Sequence, residues 1–268
     1  GSGKRGAVFF DIDDTFLSGI TKKGPESGLE GIRKDKENGH KGLINTGRTI
    51  CSVPPIIKKL DVDGYLCGCG TYLIYRNEVR FESHIPIEEG NRYIDLMKQY
   101  HIEGFLEGTD DMYFSERVSQ CEPVESTRRY MASMGLGRET SMEKKNFEYD
   151  KLLIHINKKD PNCRYQEFFA SIEDGIDIID RLNGMYELVQ KGYSKATAIE
   201  FMRQHLGLTK DEVYVFGDSS NDQSMFEYAK HSIAMKKHDP VLDPYTEYVT
   251  DTVENDGVYK AMQHYGLI

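Results

Sequence analysis

Asp11 and Asp13 stand two residues apart at the end of a short apolar run, with Thr15 two further on. While a strand persists, side chains two apart point the same way, so both acids can face one site. One can attack phosphorus and bind a metal. The other can protonate a leaving oxygen and later activate water. The same residues also suit a turn or a helix start, where Asp and Thr serve as caps. A second acidic cluster is Gly217-Asp218-Ser219-Ser220-Asn221-Asp222. Its hard oxygens suit Mg2+, which binds through one or two carboxylates beside a substrate phosphate. Asp218 can join Asp11 as a ligand, Asp222 can orient its neighbours, and Asn221 can donate to phosphate or position a lysine. Capping of the next helix by Asn221 or Asp222 is compatible with those roles. Thr46-Gly47-Arg48 offers a hydroxyl and backbone N–H groups of the kind that cradle phosphate oxygens, or simply a turn. In Lys191-Gly192-Tyr193-Ser194-Lys195, a lysine before a helix can neutralise charge in a phosphoryl-transfer transition state. Lys191 reads as a solvated surface lysine.

These clusters need elements that hold them. Apolar runs at 7–10, 42–44 and 213–216 lead directly into the three acidic or hydroxyl clusters. Unbroken runs of that length read as strands buried on both faces of a parallel sheet. Helical patterns at 29–38, closed by Gly39, and at 195–205, closed by Gly207, precede the second and third runs. A helix over 222–230 and a strand over 232–235 follow. Strand and helix alternate, which predicts a doubly wound, Rossmann-like α/β sheet. Ligands of such sheets bind beyond the carboxyl ends of the strands, where all three clusters sit. The middle of the chain lacks the strand-then-acid pattern. Helices are expected there at 93–100, 125–134 and 165–172, and strands at 104–106, 112–115 and 151–156. Strands at 176–179 and 185–189 bracket Asn183-Gly184, a hairpin signal. The expected organisation is a core of residues 4–80 and 188–268 carrying an inserted α+β domain, 81–187.

With 268 residues the chain is long enough for a core plus an insertion. Gly1-Ser2-Gly3 reads as a remnant of expression and is left out of the fold argument. A formal charge of −10 repels nucleic acid and anionic membrane. It also repels a phosphorylated substrate, so positive charge must be placed locally. No apolar run is long enough to span a bilayer, and no leader precedes the first apolar run; the expected compartment is the cytoplasm. Cys51, Cys67, Cys69, Cys121 and Cys163 are odd in number, which argues against a disulfide framework and for buried or partly buried thiols.

Taken in order, the clusters resemble the four motifs of the haloacid dehalogenase-like superfamily, and most of all its Cof-type sugar-phosphate phosphatases. Asp11-Ile12-Asp13-Asp14-Thr15-Phe16-Leu17 is similar to DxDGTLL, Asn45-Thr46-Gly47-Arg48 to xTGR, Gly192-Tyr193-Ser194-Lys195 to GVSK, and residues 217–222 to GDxxND. The tail, through Ile233-Ala234-Met235, Tyr248-Val249-Thr250-Asp251 and Asp256-Gly257-Val258, extends the likeness to about Met262. The resemblance implies Asp11 as nucleophile, forming an aspartyl-phosphate, and Asp13 as general acid and base. It implies Mg2+ held by Asp11, the Asp13 carbonyl and Asp218, with Asp222 supporting them from behind. Ile12, Thr46, Gly47, Lys195 and Asn221 would contact the phosphoryl group. The insert would be the family's cap, closing over the site and reading the leaving group; Tyr113, Arg181 and Asn183 are polar residues of it that can face a substrate. The implied partner is a small phosphorylated metabolite, and the implied assembly a monomer or small homo-oligomer. Three departures stand out. Asp14 replaces the usual Gly, Cys69-Gly70 stands where Asn-Gly is common, and Lys236-Lys237 replaces Gly-Asn. An added carboxylate at position 14 can raise a neighbour's pKa, or point away. Two rival readings share the motifs: a phosphomutase that returns the phosphoryl group to a sugar, and a phosphometabolite-binding module with little turnover.

Overall fold

The computed structural model describes residues 6–17 and 26–268. Gly1-Ser2-Gly3 and the expected first core residue, 4, lie outside them. The chain divides into two compact units. Gly1–Gly47, Pro54–Phe81 and Ser194–Ile268 form the core unit, and Arg48–Val53 with Glu82–Tyr193 form the insert.

The strands, in chain order, begin with β1 (Ala7–Phe10), β2 (Lys41–Asn45), β3 (Gly64–Cys67), β4 (Tyr72–Tyr75) and β5 (Glu78–Glu82). The insert contributes β6 (Glu103–Glu107), β7 (Met112–Tyr113), β8 (Lys151–His155), β9 (Ile176–Asp180) and β10 (Met185–Gln190). The chain then adds β11 (Val213–Gly217), β12 (His231–Ala234) and β13 (Tyr248–Val249). The core sheet has the order β13-β12-β11-β1-β2-β3-β4-β5. From β13 to β3 every pairing is parallel, and β4 turns back antiparallel on β3. From the central β1 the chain winds outward through β2 and β3, and after the insert outward the other way through β11 and β12. The winding therefore reverses between β1 and β11, where Phe10 lies opposite Phe216. Asp11 and Asp218 follow those two strands, at the switch point where open α/β sheets place their ligands.

The three strands expected from apolar runs are β1, β2 and β11, and their side chains explain them. Ala7, Val8, Phe9, Phe10, Leu43, Val215 and Phe216 are all fully buried. Each large side chain so buried contributes roughly 1.5–3 kcal/mol. Phe10 and Phe216 stack with centroids 5.2 Å apart under the strand ends. Helices α1 (Glu26–Glu37), α2 (Pro55–Lys58), α6 (Lys195–Leu206), α7 (Gln223–Tyr228) and α8 (Gly257–His264) belong to this unit. Gly207, at φ 69°, closes α6 in the left-handed conformation expected of it. The helix expected over 222–230 is shorter: Ser220–Asp222 forms a 3-10 turn first.

Among the described residues, Asp35 in this unit has a carboxylate oxygen without a hydrogen-bond partner. Asp35 on α1 is 1% exposed, and its Oδ1 accepts no hydrogen bond. Burial pushes it up to about 8, with the charge of Asp63 adding. A carboxyl raised in the folded state stabilises fully below its unfolded pKa, near 4, and that contribution is lost as pH rises toward 8. Asp35→Asn should therefore gain stability over the parent across that window, on the order of 2–5 kcal/mol in total. Thermal melts at pH 5 and pH 8 check this; an equal difference at both would place the effect elsewhere.

The insert has its own sheet, ordered β7-β6-β8-β10-β9 and antiparallel throughout. Helices α3 (Ile87–Gln99), α4 (Glu122–Ser133) and α5 (Tyr165–Ile172) accompany it. Leu106, Leu152, Ile154 and Leu188 pack with Tyr93, Phe168 and Ile172 in one core cluster. β9 and β10 form the hairpin signalled by Asn183-Gly184, both at positive φ. The expected junction at 187/188 falls inside β10, whose pairing continues to Gln190; the insert unit ends at Tyr193. Five free cysteines are distributed over both units, Cys67 and Cys69 buried. Among the described residues no helix is long and apolar enough to cross a membrane.

Candidate active site

Lys195 organises the site. It is the first residue of α6, which starts in a defined way: the Ser194 hydroxyl accepts from the Ala196 and Thr197 amides, and Thr197 reaches back to Ser194 N. Lys195 is fully buried, and its Nζ lies 2.6 Å from Asp222 Oδ1 and 3.0 Å from Asp11 Oδ1. Two further features fix the helix start. Asn45 Nδ2 donates to the Lys195 carbonyl at 3.1 Å. Gly70, at φ 91°, passes so close that a Cβ there would lie 2.3 Å from the Ser194 carbonyl. Only glycine accepts both conditions.

Among the described residues, the Asp11 carboxylate receives its two contacts on one oxygen. Oδ1 accepts from its neighbour's amide, Ile12 N, at 2.8 Å and from Lys195. Asp11 N donates to Phe216 O at 3.2 Å, tying the end of β1 to β11. Asp222 is more fully engaged. Its Oδ2 accepts from Asp218 N at 2.9 Å and Ser219 N at 3.1 Å, and its Oδ1 takes Lys195. Room for that carboxylate depends on Gly217, since a Cβ there would sit 2.5 Å from Asp222 Oδ2. Gly217→Ala is expected to displace Asp222 and lower kcat at least about tenfold, with a lower melting temperature. Unchanged kinetics and melting together would show that Asp222 does not depend on this close approach.

Asp218 differs from both. Its Oδ1 is buried and, among the described residues, accepts no hydrogen bond. One carboxylate oxygen each from Asp11, Asp218 and Asp222 lies within 4.8 Å of the others. Three carboxylates so close, with one ammonium among them, are short of positive charge. Burial, the Asp222 charge and, against them, Lys195 leave Asp11 raised to about 7, with Asp13 adding. Burial and then the charges of Asp11, Asp222 and Asp14 push Asp218 to about 10. Burial alone would lower Lys195, but Asp11 and Asp222 outweigh it and hold the ammonium above its usual value. An unpartnered buried carboxylate oxygen in such a cluster fits a divalent cation with oxygen ligands.

A sequence model of the haloacid dehalogenase-like hydrolases matches residues 8–262. The chain belongs to this family. It is similar over 97% of its length to two curated proteins described as phosphatases. One, from Streptococcus pyogenes serotype M6, is described as a bifunctional phosphatase and peptidyl-prolyl cis-trans isomerase; it is 28% identical, and the match spans 54% of it. The other, YkrA of Bacillus subtilis, is 24% identical and matched over 98% of its length. Among solved structures, the subclass IIB sugar phosphatase BT4131 superposes with a TM-score of 0.84 at 26% identity, covering 98% of this chain and all of that one. The chain is thus a haloacid dehalogenase-like hydrolase of the phosphatase kind.

The family's motif positions are distributed as follows. Asp11, Lys195, Asp218 and Asp222 meet in the cluster described. Asp13 is exposed, one turn residue before Asp14, and its charge acts on Asp11. Thr46 is buried beyond β2, next to β1, and its carbonyl accepts Cys69 N at 3.1 Å. Gly47 follows it, also buried. Asn221 is buried, its Oδ1 accepting from Ser219 Oγ. Ile12 is buried, and its N–H donates to Asp11 Oδ1 at 2.8 Å. In the insert, Tyr113 stacks on Phe147 at 3.8 Å, Arg181 pairs with buried Glu187 at 2.7 Å, and Asn183 shapes the hairpin turn. The departures at 14 and 69 share a backbone conformation. Asp14 (φ 57°) and Cys69 (φ 55°) both occupy the left-handed region, which Gly and Asn enter most easily and Asp tolerates. Sequence reasoning assigned no role to Asn45, Gly70 or Gly217. Asn45 and Gly217 lie inside the quoted motifs, but only the packing around Lys195 and Asp222 shows what they do.

Proposed function

We propose that this chain hydrolyses small phosphate monoesters, sugar phosphates foremost, through a phosphoryl group carried on Asp11. One observation carries the reading. Asp11 is held through Oδ1 by Ile12 N and Lys195, and among the described residues its other oxygen has no hydrogen-bond partner. That oxygen is placed to attack while its twin is gripped. Asp11, the Asp13 carbonyl and Asp218 would hold Mg2+. Mg2+ there supplies charge neutralisation between a phosphate and the carboxylates.

The residues of the chain do the rest. Lys195 offers a third ammonium proton to a phosphoryl oxygen after serving Asp11 and Asp222. Thr46, Gly47 and Asn221 would take the other phosphoryl oxygens, largely by positioning. Asp13 would protonate the leaving alcohol, then draw a proton from the water that cleaves the acyl-phosphate. Asp222, already saturated, keeps Lys195 and the 218–219 backbone in place. The insert would select the leaving group. Sugar phosphates are favoured because the similar solved structure is that of a sugar phosphatase. A cytoplasmic location suits five free thiols.

A phosphate-release screen over phosphorylated metabolites, with Mg2+ and with a chelator, tests this. Release is expected only with the cation and highest for sugar phosphates. Release that persists in chelator would overturn the metal role. Conversion of hexose phosphates without free phosphate would mark a mutase instead.

A further inference from the structure

A cavity of about 200 Å3 opens beside Asp218 within the core unit. Its wall includes Asp218 and three charged residues that no family motif asks for, Asp14, Lys237 and Glu254. Asp14 and Lys237 both sit on anchored backbone. Asp14 N donates to Leu17 O at 2.7 Å in the turn after β1. The loop bearing Lys237 is fastened to the end of β11 on either side of it: Met235 N donates to Gly217 O at 3.1 Å, and Asp239 N to Asp218 O at 2.7 Å. Asp14 and Lys237 are both exposed, and among the described residues Lys237 makes no ion pair. They therefore add opposite charges at one wall of the space beside Asp218, whose buried Oδ1 accepts no hydrogen bond among the described residues. The Asp14 charge reaches Asp218.

We propose that Asp14 and Lys237 are opposed positioning residues that together set the affinity of the Asp218 cation site, Asp14 raising it and Lys237 lowering it. This rests on the cation reading above. Neither residue needs to touch the cation. A single charge across a small, half-wet cavity changes its affinity by about three- to tenfold, and salt reduces the change. An acid at position 14 would draw the cation too strongly if it stood alone, and the lysine offsets it.

Calorimetric titration with Mg2+, and with Mn2+ followed by its magnetic resonance signal, tests this in the whole chain without substrate. Asp14→Asn keeps shape and left-handed tolerance while removing the charge; Asp14→Gly is the second variant. Either should raise the cation Kd about three- to tenfold. Lys237→Asn should lower it by a similar factor, and Asp14→Asn/Lys237→Asn should return within about twofold of the parent. All differences should shrink in 0.5 M salt, where the Debye length falls to about 4 Å. Single variants that leave Kd unchanged, or move it the same way, overturn the inference while the parent's own binding leaves the cation reading standing. A parent that binds neither cation overturns both.

Discussion

Asp11→Asn is expected to lower turnover of any phosphate monoester by at least about 10^4-fold, with the fold intact. A carboxamide oxygen is a poor nucleophile, and removing the nucleophile of a covalent mechanism typically costs that much or more. The stability effect has the opposite sign. Asp11 is one of three clustered carboxylates and is raised to about 7 by burial and by Asp222. In chelator, a group raised this way destabilises the fold as pH climbs from about 4 to 7. The amide keeps an acceptor for Ile12 N and Lys195 but removes that charge. Melting temperature in chelator at pH 7.5 should therefore be equal to or above that of the parent. The check is paired kinetics and melting: a variant that kept full cation-dependent turnover would exclude Asp11 as nucleophile.

Lys195→Met is expected to damage both activity and stability. The lysine is fully buried between Asp11 and Asp222, at 3.0 and 2.6 Å. Its loss leaves two buried carboxylates facing each other without compensation, a change worth ~3–5 kcal/mol. The lost counter-charge to the phosphoryl group would lower kcat by a further 10^2- to 10^3-fold among molecules that remain folded. Adding Asp222→Asn to Lys195→Met should recover part of the stability and none of the turnover. Denaturant unfolding of the single and double variants separates the two effects. A Lys195→Met chain as stable as the parent would sink the charge argument, whatever its activity.

Parts of this molecule were legible from residue order. Strands β1, β2 and β11 show themselves because a parallel sheet covered on both faces demands unbroken apolar runs, and Ala7–Phe10 is buried at every position. Strands β3, β4 and β5 did not. Tyr72 and Ile74 alternate with buried Leu73 and Tyr75, and β5 is mostly exposed at the sheet edge. Short, half-wet strands carry too little pattern to separate from loop. The helix after Asp222 starts late because the Asp222 carboxylate turns back onto the 218 and 219 amides, a tertiary preference that no helical periodicity reveals.

Residue order alone determined that acids would stand at strand ends. Apolar runs must be buried, and the charged residues that follow must then emerge where the sheet stops. It also marked Gly207 as the end of a helix, because capping chemistry is local. What only the tertiary structure decided is how those acids differ from one another. Asp222 is saturated, Asp11 is gripped on one oxygen, and Asp218 has a buried oxygen with no partner among the described residues. Part of the difference comes from Lys195, whose helix start is held by Asn45 from 150 residues away. The strength of a charge interaction depends on separation and burial, and both are properties of the packed chain.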